Sequence, residues 1–221
     1  MTRDELLTRL VALIAGRRPD RVLRVAIDGP DAAGKTTLAG ELARALAGVR
    51  EPVQVSIDGF HRPRHLRQRY YEDSFDYERV RDEVLTPLGA DGDRWYRPAV
   101  FDHRRDAPVD EAPRRAPRDG VLLFEGVFLL RPQLRDHWDL TVYLHITPEE
   151  SLRRAFVRDA AMFGGAEATR ERYLARYLPG QQLYRELADP LGRADVVIDN
   201  NDPARPYVRR WPGSAVIEHG A

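Results

Sequence analysis

Gly29-Pro30-Asp31-Ala32-Ala33-Gly34-Lys35-Thr36-Thr37 is the stretch of this chain whose residue types and spacing point most directly to chemistry. It matches G-x-x-x-x-G-K-[ST], a loop whose backbone N–H groups cradle phosphate oxygens. In that pattern the lysine reaches the β- and γ-phosphates of a nucleotide, and the hydroxyl of Thr36 meets Mg²⁺. Lys35 is also the single lysine among 35 basic residues, all the others being arginine. The two cations are not interchangeable here. A compact ammonium on a flexible stem fits between phosphates, where a planar guanidinium would collide with the loop. A chain biased to arginine that resists the bias at one slot reads as a nucleotide-phosphate site, with ATP and Mg²⁺ as the expected cofactors.

Further candidates follow from strand ends, where parallel α/β sheets bind their ligands. Asp58 closes a strand-like run at 53–57, and Glu125 closes another at 121–124. Asp58 is placed to take the proton of an attacking hydroxyl, and Glu125 to hold Mg²⁺ directly or through water. Each has a plainer reading: Asp58-Gly59 is a turn-forming pair, and a strand-end acid can cap the next segment. Arg153, Arg154 and Arg158 sit on one helical stretch, and Arg154 and Arg158, four apart, share a face. Such cations can spread over the charge of a transferring phosphoryl group, or simply be solvated on the surface. His61, His65 and His103 have no metal-ligand spacing.

These residues need a scaffold of alternating strands and helices. Thr2 to Glu5 reads as a capping box, and Leu6, Leu10, Leu13 and Ile14 recur at helical spacing. Strands are expected at 22–28, 53–57, 121–124, 140–146 and 194–198, with a helix from Lys35 to about 47. Thr147-Pro148-Glu149-Glu150 opens another helix to about 162; Gly164-Gly165 breaks it, and a further helix should end at Pro179-Gly180. The pattern predicts an α/β protein with the P-loop NTPase fold, a five-stranded parallel sheet with helices on both faces. One domain should span 1–221, with an aromatic-rich insertion at about 59–118 and a flexible tail from about 203. That insertion reads either as a small satellite core or as an acceptor pocket with an aromatic wall.

Composition excludes several classes. Formal net charge is zero, so no overall positive field draws nucleic acid or an anionic membrane. There is no cysteine, hence no disulfide, thiolate metal site or cysteine nucleophile. The most apolar stretch, 121–130, contains Glu125 and is too short to span a bilayer. The first residues lack a signal-peptide pattern. A cytoplasmic protein acting on a small-molecule acceptor is the expectation, and a homo-oligomer is compatible with it.

The loop, Ser56-Ile57-Asp58-Gly59-Phe60-His61-Arg62, Ser74-Phe75-Asp76-Tyr77, Phe124-Glu125-Gly126-Val127-Phe128-Leu129, 154–159 and Ala194-Asp195-Val196-Val197-Ile198 occur in an order that resembles the uridine kinase group. That group is in turn similar to phosphoribulokinase and bacterial pantothenate kinase, and the resemblance runs from about Val22 to Asn201. It implies an ATP-dependent kinase acting on the 5′-hydroxyl of a pyrimidine nucleoside, with Asp58 as base and Glu125 at magnesium. It further implies Asp76 on the ribose hydroxyls, and Phe101 and His103 near the pyrimidine, Phe101 standing where the group has tyrosine. Met162-Phe163-Gly164-Gly165 replaces the group's arginine-glycine-arginine lid motif. Asp58-Gly59-Phe60 is closer to the pantothenate kinase branch, so pantothenate or a sugar phosphate is the alternative acceptor. A GTPase switch would need Asn-Lys-x-Asp, which a chain whose only lysine is Lys35 cannot contain. A non-catalytic nucleotide-binding regulator would need neither Asp58 nor the long insertion.

Overall fold

The computed structural model describes residues 1–17 and 20–213, without the side chains of 160–163. The Met162 and Phe163 side chains of the lid comparison and the tail beyond 213 therefore lie outside the described residues. Thr2 and Glu5 form the expected capping box, with reciprocal bonds of 3.2 and 2.8 Å. It opens α1 (Arg3–Gly16), which buries Leu6, Leu10 and Ile14.

β1 (Leu23–Asp28) runs into the glycine loop, and α2 (Lys35–Leu46) leaves it. β2 (Pro52–Ser56), β3 (Val121–Gly126) and β4 (Leu140–His145) follow, then α3 (Pro148–Phe163) and, later, β5 (Val196–Asp199). These five strands are parallel, in the order β5-β4-β1-β3-β2. Every residue of β1 and β3 is buried, as central parallel strands require. One apolar cluster, fed by α1 and α2, fills one face of the sheet; the other face packs aromatics from the insertion and from the later helices.

The five-stranded expectation needs one correction. A sixth strand, β6 (Tyr207–Arg210), pairs antiparallel with β5 at the edge. It arises within the segment expected to be a flexible tail. Val208 and Trp211 pack against the core, and the Arg9 guanidinium lies 4.3 Å from the Trp211 ring centroid. Composition rich in proline and arginine hid this anchoring.

A second correction concerns Pro179-Gly180. The chain stays helical through α4 (Ala166–Arg172), a π-helical turn at Tyr173–Tyr177, and α5 (Leu178–Ala188). Pro179 falls in the first turn after the π turn, where its missing N–H and fixed φ are tolerated.

Residues 59–118 fold as short pieces rather than one loop. Trp95–Tyr96 pairs with Arg114–Arg115, and Phe101–Asp102 with Ala107–Pro108. Tyr70, Tyr71 and Phe75 are buried around Phe128, with ring centroids 5.0, 5.2 and 6.5 Å away. The aromatics form a satellite core, and Tyr70 and Phe75 also wall the cleft described next.

Candidate active site

The turn from β1 into α2 requires Gly29. Its φ is +151°, and a Cβ there would lie 2.4 Å from the Leu144 carbonyl oxygen. Three side chains, two from α3 and one from the end of β5, pin the far half of the loop. Ser151 of α3 donates to the Asp31 carbonyl at 2.7 Å, Asn200 Nδ2 to the Ala33 carbonyl at 2.8 Å, and Arg154 Nη1 to the Ala32 carbonyl at 3.3 Å. Lys35 is buried, and its Nζ donates to the Pro30 carbonyl at 2.7 Å. The Asp31 side chain, within the loop, accepts from Tyr70 Oη at 2.9 Å and from Gln181 Nε2 at 2.6 Å.

The loop opens on a cleft of about 1100 Å³. Lys35, Thr36, Asp58, His103, Glu125 and Arg158 all line it. Parallel pairing sets this convergence: Ser56 at the end of β2 stands opposite Glu125 of β3, and Gly126 opposite Asp28 of β1. Gly126 lets the turn after β2 come close, since a Cβ there would lie 2.2 Å from the Ile57 side chain.

Asp58 sits on the 3-10 turn Ile57–Phe60, and its own N–H donates to the capping Ser56 hydroxyl at 3.3 Å. Its side chain is 60% exposed, yet it lies inside the cleft with protein on several sides. That enclosure pushes the carboxyl up. The bond from His61, whose Nε2 lies 3.5 Å from Asp58 Oδ1, and the charges of His61, His103 and Lys35 outweigh it, leaving Asp58 below its ordinary range. An ionised carboxylate open to the cleft can accept a proton. Burial moves His103 the other way, lowering it below its ordinary value despite Asp58. Glu125 is 9% exposed and raised by burial, against the opposing pull of Ser56, Lys35 and Thr36.

The two helix arginines have separate fates. Arg158 lines the cleft, forked onto Asp159 at 2.6 and 2.8 Å. Arg154 was expected beside it but does not line the cleft. Its guanidinium is consumed by Glu150 at 2.6 Å, the Ala32 carbonyl and the carbonyls of Asn200 and Asn201 at 2.7 and 3.1 Å. Arg154 is a clamp between α3, the loop and the end of β5.

Asp76 and Phe101 are not among the lining residues either. The Asp76 carboxylate accepts from the Arg79 N–H at 3.0 Å and caps the short helix Tyr77–Val80. Phe101 is buried in its two-residue strand. Sequence reasoning missed several wall residues: Arg64, Arg67, Arg104 and Arg176. With so many arginines in the chain, none of these stood out by type.

A parallel sheet, a lysine-bearing phosphate loop at the end of its central strand, and two acids at neighbouring strand ends define the P-loop NTPase fold. Solved structures agree. The chain superposes on a structure described as a possible uridine kinase from Bacillus stearothermophilus with a TM-score of 0.68 and 22% identity, covering 88% of this chain and 97% of that one. A provisionally assigned fructose transport system kinase from Silicibacter sp. TM1040 gives 0.71 at 24% identity, covering 85% and 96%. D-glycerate 3-kinase from Cryptococcus neoformans gives 0.58 at 14%, covering 92% and 99%. At these identities the likeness is one of fold. Among curated proteins, a cytidylate kinase from Pyrobaculum arsenaticum is 29% identical over 161 residues, 69% of this chain and 74% of that protein. No family model matches the chain.

Proposed function

We propose that the chain is an ATP-dependent kinase that phosphorylates a hydroxyl of a small metabolite. One observation carries the reading: Asp58 and Glu125 line the same cleft as Lys35 and Thr36. A regulator that only binds nucleotide has no use for an ionised carboxylate facing the phosphate loop. In the step, the acceptor oxygen bonds to the γ-phosphorus while its proton passes to Asp58. The bond from that phosphorus to the β,γ-bridging oxygen breaks, and its electron pair leaves on ADP. Lys35 and Arg158 supply fixed positive charge to the transferring group.

Thr36 and Glu125 suit Mg²⁺. Both line the cleft beside Lys35, and the Glu125 carboxyl is raised by burial, a cost that a bound cation relieves. Mg²⁺ keeps several waters and takes one or two carboxylates plus substrate phosphates. No cluster of three or more acidic, histidine or cysteine ligands occurs among the described residues. When bound, the ion would neutralise charge on the β- and γ-oxygens.

Residues 59–118 supply the acceptor wall within one catalytic unit, and a cytoplasmic setting remains our expectation. No helix among the described residues is long and apolar enough to cross a membrane. A pyrimidine nucleoside acceptor draws support from His103 in the cleft and from the uridine kinase-like neighbour. It loses support from Asp76 and Phe101, which lie outside the lining. Pantothenate or a sugar phosphate is the second reading, favoured by the arginines on the acceptor side.

The test is ADP release by the wild type, Lys35→Arg and Asp58→Asn, alongside calorimetric ATP binding. Asp58→Asn should bind ATP normally and lose roughly 10²–10⁴ in transfer rate. Lys35→Arg should fold and lose about 10²-fold or more. Normal transfer by both variants would remove the proposal.

A further inference from the structure

The chain is neutral overall, yet one wall of its cleft is not. Arg64, Arg67 and Arg104 come from the insertion and Arg176 from the π turn, and all four line the cleft. Arg67 is 14% exposed, and its Nε is buried without a partner. Its one carboxylate, Asp106 at 3.0 Å, also takes the Arg64 N–H at 2.9 Å. Arg176 spends its donors on neutral groups, the Gln68 carbonyl at 2.6 Å and the Ser74 hydroxyl at 3.3 Å. Among the described residues, no ion-pair partner is found for the Arg64 or Arg104 guanidinium. Burial lowers Arg67 below its ordinary value, and the neighbouring charges of Arg64 and Arg176 add to that against the pull of Asp106.

Arg67 and Arg176 are held partly out of water while Arg64 and Arg104 are exposed, and a partly buried guanidinium beside like charges is unfavourable unless an anion joins it. The location says what that anion belongs to. Arg67 Nη1 lies 3.5 Å from His61 Nδ1, and the other side of the same ring, Nε2, lies 3.5 Å from Asp58 Oδ1. The basic wall thus begins one imidazole away from the proton acceptor. The triphosphate is served separately, by the loop, Lys35 and Arg158.

We propose that the acceptor is itself an anion: a small hydroxyl compound carrying a phosphate or carboxylate, with that oxyanion on Arg64, Arg67, Arg104 and Arg176 and its hydroxyl at Asp58. The inference rests on the kinase reading and narrows its substrate class. A neutral nucleoside would leave the wall uncompensated. A short carbon chain between hydroxyl and oxyanion matches the single-ring separation.

The experiment uses the full chain and matched pairs. ATP binding is measured first by calorimetry. ADP release is then compared for glycerol against glycerol 3-phosphate and glycerate, ribose against ribose 5-phosphate, uridine against uridine 5′-monophosphate, and cytidine against cytidine 5′-monophosphate. The phosphate and carboxylate arms separate the two oxyanions. At least one anionic hydroxyl compound should exceed its neutral counterpart by about tenfold or more in kcat/KM. Arg67→Gln and Arg104→Gln should each raise the acceptor KM about tenfold to a hundredfold, with the KM for ATP nearly unchanged. Arg104 is exposed, so its variant reports even where loss of the Arg67–Asp106 pair impairs folding. Uridine used as well as any anionic acceptor would overturn the inference. So would transfer to the monophosphate that survives Asp58→Asn, unchanged acceptor KM in Arg104→Gln, or ATP binding with no anionic acceptor bound or phosphorylated. Failure to bind ATP would instead remove the kinase reading, and this inference with it.

Discussion

Tyr70 Oη lies 2.9 Å from both carboxylate oxygens of Asp31 and donates to them, so the insertion is tied to the phosphate loop itself. The same ring packs edge-on against Phe128 and Tyr177, at 5.0 and 4.7 Å between centroids. Tyr70→Phe keeps the packing and removes the bond. A hydrogen bond to a charged group contributes about 1.5–3 kcal/mol. A lower Tm and a several-fold rise in the KM for ATP are expected, and calorimetry with steady-state kinetics would check both. An unchanged KM for ATP would mean that Gln181 alone holds Asp31.

Arg154 predicts a different phenotype from a catalytic cation. Arg154→Met keeps the apolar stem and drops the bonds to Glu150 and to three carbonyls. Loss of such charge-assisted bonds should cost about 2–3 kcal/mol. Thermal melts should fall and the KM for ATP rise, while the acceptor KM stays put. A variant with wild-type Tm and a collapsed kcat would restore Arg154 to the reacting phosphoryl group.

Asp76→Ala tests a cap against a ribose contact. Removing a carboxylate cap typically costs about 1 kcal/mol. Denaturant unfolding should show that loss, and neither KM should move. A large rise in acceptor KM would return Asp76 to the binding site.

Asp28 gives a pH signature. It is buried beneath the loop, accepting from Gly29 N–H, Leu130 N–H and Tyr184 Oη, and burial raises its pKa to about 6 against an ordinary 3.8. Between those values the native state holds more protons than the unfolded chain, so this group makes stability fall as pH rises through that window. The integrated effect is on the order of 3 kcal/mol. Subtracting the stability–pH curve of Asp28→Asn from that of the wild type should isolate this slope between about pH 4 and 6. A flat difference would mean that Asp28 ionises normally in the fold.

The periodicities that the sequence displays are those of regular elements with one buried face, and these were readable: β1 with its glycine loop, the helix opened by Pro148, and the strand ends bearing Asp58 and Glu125. What escaped depends on partners distant in sequence. Arg154 and Arg158 look alike on a helical wheel, and only the loop carbonyls and Asn200 distinguish them. Pro179 reads as a helix breaker until a π turn resets the hydrogen bonding ahead of it. Asp76 could cap or bind, and position relative to the cleft decides between them. The wall arginines were hidden by the very bias that exposed Lys35.

That bias has an analytical use. Lys35 holds the chain's only side-chain amine, and it is buried against the Pro30 carbonyl beneath the loop. Amine-directed reagents therefore have a single side-chain address in this molecule. Isotope-coded reductive methylation, read by mass spectrometry, becomes a footprint of one atom. It reports occupancy of the loop by any phosphate compound, whatever reaction that compound goes on to undergo.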